Sequence, residues 1–471
     1  MKTRRFLRSG LVWTTVLSTG GLTALACSDS DVRLGYVEPQ DASTGSSEAS
    51  LPKADDGGGE TDANDAARPQ DAGVPFDGAG KAVVCGTTPC VTQLAGGDTY
   101  FCALISDGTV RCWGTDVRGS LGRPEIDAGP DAAVLPPAAV EGLEGVTQLS
   151  ARQATCAVLD SGTVQCWGSN SAGQLGVRTP PASDTLSHPN PTEVPLPEPA
   201  VRVDANDNAT CAVLASGKLA CWGTTAYGML GRTTTGSVGG PDIATRVPTN
   251  VVKTTTGIAI GEDAELVTWA GLLGRSVSIQ PTDPAFKAQP IPSLANVHDV
   301  AAEVAYVYDQ AAAAWVPGGH ACAVVAGAVY CWGSTNAYGA LCTGIPDKEP
   351  EPVHVSMPLE AGVFAQQIAV SKRNTCVRLT DGSVRCCGVD DLGQLGRGTV
   401  PDGGTTPPIA PVFVPASAVT GHVVQIALGG DTACALLANG SVECWGSNAF
   451  GQLGNGTRDS APHPVPVRVV F

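Results

Sequence analysis

Six times along the chain a cysteine is followed nine or ten residues later by a second cysteine across a short glycine-containing turn. The best-formed copy, CALLANGSVECWGSNAFGQLG, runs from Cys434 to Gly454. Cys434 to Leu437 is apolar throughout, as expected of a strand buried on both faces. Ala438-Asn439-Gly440 supplies a three-residue hairpin turn with glycine at its left-handed position. Ser441 to Trp445 returns as the second strand, and GSNAFGQLG carries the chain out through further turns.

The same text begins at Cys102, Cys156, Cys211, Cys322 and Cys376, and a worn copy at Ile258 keeps Trp269 but carries Ile258 and Thr268 in place of both cysteines. The steps between successive units are 54, 55, 47, 64, 54 and 58 residues, which means a repeat architecture. Five intact copies space their cysteines by ten around a three-residue turn. The copy at Cys322 spaces them by nine, but its turn has shrunk to Ala326-Gly327, so the two cysteines again stand opposite each other. That register, and the joint loss of both cysteines in the worn copy, predict cross-strand disulfides Cys102–Cys112, Cys156–Cys166, Cys211–Cys221, Cys322–Cys331, Cys376–Cys386 and Cys434–Cys444. Each closes a short loop worth on the order of 2–3 kcal/mol. Of the other five cysteines, Cys85 and Cys90 (CGTTPC) are close enough to pair locally. Cys342 stands for the last glycine of the fifth unit and Cys387 for the tryptophan of the sixth, which predicts a bridge between adjacent units.

The remaining cysteine, Cys27, follows a basic start (Lys2, Arg4, Arg5, Arg8) and the apolar run LVWTTVLSTGGLTALA. Residues 1–26 read as an export signal, too short and glycine-rich for a membrane span. ALAC resembles the bacterial lipobox, which makes Cys27 the expected lipid attachment point; Ser28 after it favours an outer-membrane address in the cell envelope. Residues 27–80 then form an acidic, apolar-poor spacer, net −9 over 28–80, reaching roughly 40 Å as a flexible coil. A total charge of −17 argues against nucleic acid as a partner. The 58 glycines and 35 prolines suit many turns and little long helix.

From Lys81 onward a strand-like segment precedes each hairpin (VTQLAGG 91–97, VTQLSAR 146–152, VVQIALGG 423–430), and proline-rich stretches lead into these segments. Each unit thus offers about four short strands, the content of one propeller blade. The closing HPVPVRVVF reads as the opening strand of a unit that stops, placed to complete the first blade and close the ring. The pattern C-A-L…D-G-x-V-x-C-W-G…G-Q-L-G, covering residues 81–471, resembles the repeat of the regulator-of-chromosome-condensation family in an exported, cysteine-bearing bacterial version. The resemblance implies an all-β, seven-bladed β-propeller. It carries no exchange activity over, because an exported protein would not meet a nuclear GTPase, and the stretches entering the hairpins lack the tryptophans of a photoreceptor on this fold.

No nucleophile elbow, H-E-x-x-H or phosphate loop is present. The six histidines are scattered and His320 is expected to serve a structural hydrogen bond. Trp113, Trp167, Trp222, Trp269, Trp332 and Trp445 recur at one repeat position and read as core. No catalytic residue, metal ligand or cofactor is therefore expected. The expectation is a monomeric, lipid-anchored module that binds a protein or surface macromolecule; a structural envelope module and a hydrolase, lyase or carbohydrate-binding propeller are the alternatives. The fifth unit carries about fifteen extra residues, VAYVYDQAAAAWVPG, which read as a projecting hairpin with Tyr306, Tyr308 and Trp315 as candidate anchors.

Overall fold

A computed structural model describes Phe76 and residues 80–124, 136–177, 182–225, 228–233, 237–255, 257–269, 288–291, 293–309, 314–333, 336, 338–345, 347–401 and 408–471, with backbone alone for 304–309 and 314–318. All belong to the unit Asn64–Phe471. Cys27 and the export signal lie outside the described residues, as does the spacer apart from Phe76 and Gly80.

Seven four-stranded antiparallel sheets follow one another as the blades of a propeller. In the first, the inner strand is Val91–Gly96, the hairpin strands are Tyr100–Ile105 and Val110–Gly114, and the outer strand is Ala138–Ala139. The segment before each hairpin becomes the inner strand and the proline-rich segment after it the outer one. Proline has no N–H to give to a ladder, so an outer edge is where it fits.

That order corrects the closure expected above. His463–Arg468 pairs with Val442–Gly446 as the outer strand of the seventh blade, while the first blade has its own fourth strand. The ring therefore closes side to side. Trp113 Nε1 of blade 1 donates to Gln452 O (2.8 Å), Phe471 meets the Trp113 ring edge-on, and Val84 and Gly86 donate to Ala438 O and Asn439 O at the hairpin turn of blade 7. Phe76, assigned from sequence to the spacer, packs edge-on against Phe364 and His298.

The apolar core is a set of seams between neighbouring blades. The seam between blades 7 and 1, for example, holds Leu94, Phe101, Trp113, Cys434, Leu453 and Val469. The six recurrent tryptophans are all fully buried. Each hairpin cysteine pair stands in direct register and is bonded, with Cα atoms 4.1 Å apart. Cys85–Cys90 closes its own loop and Cys342–Cys387 joins blades 5 and 6.

The last bridge replaces something specific. Trp167, Trp222, Trp269 and Trp445, like Trp113, donate Nε1 to a loop carbonyl of the preceding blade, at Ser120, Gln174, Met229 and Gln394. Two residues after each carbonyl is a glycine of positive φ, and a Cβ there would come within 2.8–3.4 Å of the indole nitrogen. At the boundary of blades 5 and 6 the glycine is Cys342, φ 58°, and the tryptophan is Cys387. The disulfide takes the place of the indole resting on glycine.

Candidate binding face around the central channel

Every inner strand has a register irregularity just before its third residue, such as that between Val91 and Gln93. A bulge re-aims the residue that follows it. In four blades that residue is a glutamine whose amide bonds both polar groups of one residue on the next blade: Gln93 with Leu149, Gln148 with Val203, Gln367 with Ile426 and Gln425 with Leu94, at 2.8–3.2 Å. The side-chain amide stands in for a peptide group and adds one rung of sheet between blades. In the other three blades Arg202, Lys253 and Asp299 take this position. Arg202 holds Asp204, which accepts from Thr254 N (3.4 Å), and Lys253 pairs with Asp299, which accepts from Ile368 N (2.9 Å). The resulting collar runs round the channel and divides it. Sequence reading missed it, although the repeated V-T-Q-L was the signal.

Above the collar lies a cavity of about 210 Å³ lined by Arg152, Asp204 and the ends of the inner strands. Arg152, from the inner turn of blade 2, pairs with Asp207 of blade 3 (3.1 Å) and with Glu303 of blade 5, with Asp98 of blade 1 at 4.0 Å. Lys372 reaches Asp98 (3.6 Å), and Arg373 bonds Asp391 and Asp431 (2.7 and 3.0 Å). Burial pushes the Asp207 carboxyl up, against the opposing pull of Arg152. These residues come from six blades and only the closed ring brings them together.

His320 and Tyr100 occupy one repeat position and serve one purpose. Tyr100 Oη meets Thr155 Oγ1 (2.8 Å) and His320 Nε2 meets Thr375 Oγ1 (3.0 Å), each on the next blade. Both threonines spend their proton on a loop carbonyl, Ser120 O and Ala340 O, so the tyrosine and the histidine must donate. Burial drives the Tyr100 phenol well up, and burial together with Arg152 holds His320 down at about 4. A buried neutral histidine binds no proton where the unfolded chain does, so stability is whole above pH ~6.5 and falls as pH drops toward 4, by about 3 kcal/mol. His320→Asn, matching Asn374 at this position in blade 6, is expected to abolish that share. Denaturation at pH 7 and pH 4.5 should show the gap between wild type and variant shifting by about 2–3 kcal/mol; a gap constant with pH would show that His320 is not the titrating group.

On the face that carries Arg152, blade 5 has no short inner turn. Its inner strand extends over Val297–Asp309 and the next over Ala314–Val325, against six residues for each counterpart in blade 1. Val304–Asp309 and Ala314–Gly319 pair with each other, and the third strand joins only at His320. The register sets Tyr308 against Trp315 and Tyr306 against Pro317; the side chains of these candidates lie outside the described ones. The loops leaving the hairpins open on the same face and expose Tyr338, Phe450 and Val117, with Arg373 over the Tyr338 ring.

These features define a class: a seven-bladed β-propeller of clipped hairpins keyed by tryptophan. Residues 152–174 and 423–452 match one model of the regulator of chromosome condensation (RCC1) repeat, and residues 439–471 match another. The chain carries repeats of the RCC1 type. It is 27% identical over 323 residues to the E3 ubiquitin-protein ligase HERC2 of Mus musculus, covering 65% of this chain and 6% of the ligase. It is 31% identical over 145 residues to the human regulator of chromosome condensation, covering 30% and 33% of the two chains. The chain thus spans a small part of the length of these relatives. Among solved structures it resembles Prp20p from Saccharomyces cerevisiae, with TM-score 0.45, 18% identity and coverage of 81% and 77%.

Proposed function

We propose that this propeller is an exported, lipid-anchored module that binds a protein through the face bearing Arg152 and the blade 5 ribbon. The observation that carries the reading is the ribbon, two strands that run past their sheet with no third strand beside them among the described residues. A lone two-stranded ribbon is marginal in water, and a partner laid against it would supply the missing contact. Exposed Tyr338 and Phe450 on the same face add the residue types that dominate binding hot spots. Export is supported by the cysteines: all sixteen described ones are in disulfides, the usage of an oxidising compartment. The bait should be the protein recovered from the cell-envelope fraction, with Cys27→Ala released into the soluble fraction as the check on the anchor. Replacing Tyr306, Tyr308 and Trp315 together by Ala is expected to leave the melting temperature within about 2 °C and to lose the captured partner, since single hot-spot residues are each worth about 2 kcal/mol or more. Capture that survives the triple change, or a sharp fall in stability, would make the ribbon scaffold only.

A further inference from the structure

Below the collar the channel widens into a second cavity of about 460 Å³, lined by Lys81, Arg202, Lys253, His298, Asp299, Arg378 and the collar glutamines. Four of these are cations and one is an acid, in a chain whose net charge is −17. Arg202 and Lys253 are engaged by Asp204 and Asp299. Lys81 and Arg378 have no carboxylate partner among the described residues.

Arg378 is the unusual member. It lies two residues after Cys376, the first hairpin cysteine of blade 6, and the same place in the repeat holds Leu104, Val158, Val213, Ile260, Val324 and Leu436 in the other six units. A charge has replaced an apolar side chain at one point of seven, and it is 4% exposed. Its Nη1 donates to Gln366 Oε1, while its buried Nε has no partner among the described residues. The edge left over, Nε with Nη2, is the edge of a guanidinium that takes two oxygens of one carboxylate or phosphate. Leaving a buried arginine half satisfied costs stability, so the site is a poor scaffold unless something fills it.

The surroundings point to an anion as well. Lys81 and Arg378 both depress His422, after burial, so three basic groups crowd one place. The segment Gly80–Val83 lines the cavity, and a side chain at Gly80 would come within 3.6 Å of Arg378 Nη2. The volume suits a ligand of metabolite size.

We propose that this lower cavity binds a small oxyanion, carrying carboxylate or phosphate groups, with Arg378 as the bidentate contact and Lys81 as the second charge. It is separate from the protein-binding face and does not depend on it. Isothermal titration of the full chain with citrate and, in a second arm, with inorganic phosphate tests it, and the arm that binds tells carboxylate from phosphate chemistry. Wild type is expected to bind one equivalent of at least one anion and to melt higher in its presence. Arg378→Leu, the residue of the first and seventh units, should weaken binding at least tenfold while the anion-free protein melts no lower than wild type. Arg378→Lys keeps the charge without the fork and should fall between them. No binding to wild type in either arm, equal binding by Arg378→Leu, or a marked loss of anion-free stability in that variant would overturn the proposal.

Discussion

Cys387→Trp alone should be among the most damaging single substitutions in this chain, and Cys342→Gly in the same molecule should reverse most of the damage. Losing the bridge releases a loop of 45 residues, worth about 4 kcal/mol by the chain-entropy estimate. The incoming indole would also meet the Cys342 side chain, in the space that glycine leaves open at five other seams; overpacking of this kind adds about 1–3 kcal/mol. With glycine at 342 the indole can lie on it and donate to Ala340 O, the carbonyl that Cys387 Sγ approaches at 3.7 Å and that matches Gln452, Ser120, Gln174, Met229 and Gln394 elsewhere. The double variant is expected within about 2 kcal/mol of wild type, a coupling of several kcal/mol between touching positions. Denaturant titrations of the four proteins measure it. Simple additivity of the two single effects would show that the bridge and the indole do not share one role.

The hairpin bridges were legible because disulfide geometry is strict: a turn shortened by one residue had to shorten the cysteine spacing with it, and at Cys322 it did. The blade 5 insert was legible for a similar reason, since a unit longer than its neighbours must send the surplus out of the sheet. What escaped was whatever depends on the ring. Gln93 and Gln425 lie 332 residues apart in sequence yet serve one collar, Gln425 bonding the residue beside Gln93. Asp98, Arg152, Asp207 and Glu303 each look like ordinary turn or strand residues until the blades stand around one axis. Arg378 departs from an apolar repeat position, but only its buried Nε, without a partner among the described residues, gives the departure meaning. The C-terminal strand was misread because HPVPVRVVF offers little to mark it as an edge except its prolines, and the same prolines also suit a strand that begins a unit.

The corrected topology changes where truncation should strike. Removing Pro464–Phe471 takes the outer strand from blade 7, including the hydrogen bonds from Val469 N to Val442 O and from Val470 N to Gly454 O, both 3.0 Å. It also takes buried Val469 from the seam with blade 1 and Phe471 from the edge of Trp113. Two apolar side chains at about 1.5–3 kcal/mol each, with the lost ladder, put the cost at about 5 kcal/mol. For a chain of this size that lowers the melting temperature by on the order of 10 °C. The location of the damage separates the two ways of closing the ring. Amide exchange should quicken along Val442–Gly446, whose outer edge becomes bare, while Arg111 and Cys112, paired with Ala139 and Ala138 in their own blade, keep their protection. Loss of protection at Arg111 and Cys112 with Val442–Gly446 unaffected would mean that the C-terminal strand completes the first blade after all. The exposed edge also leaves Trp113 covered on one side fewer, so its fluorescence should shift to the red before the protein unfolds, marking the seam between blades 7 and 1 as the place where the ring first opens.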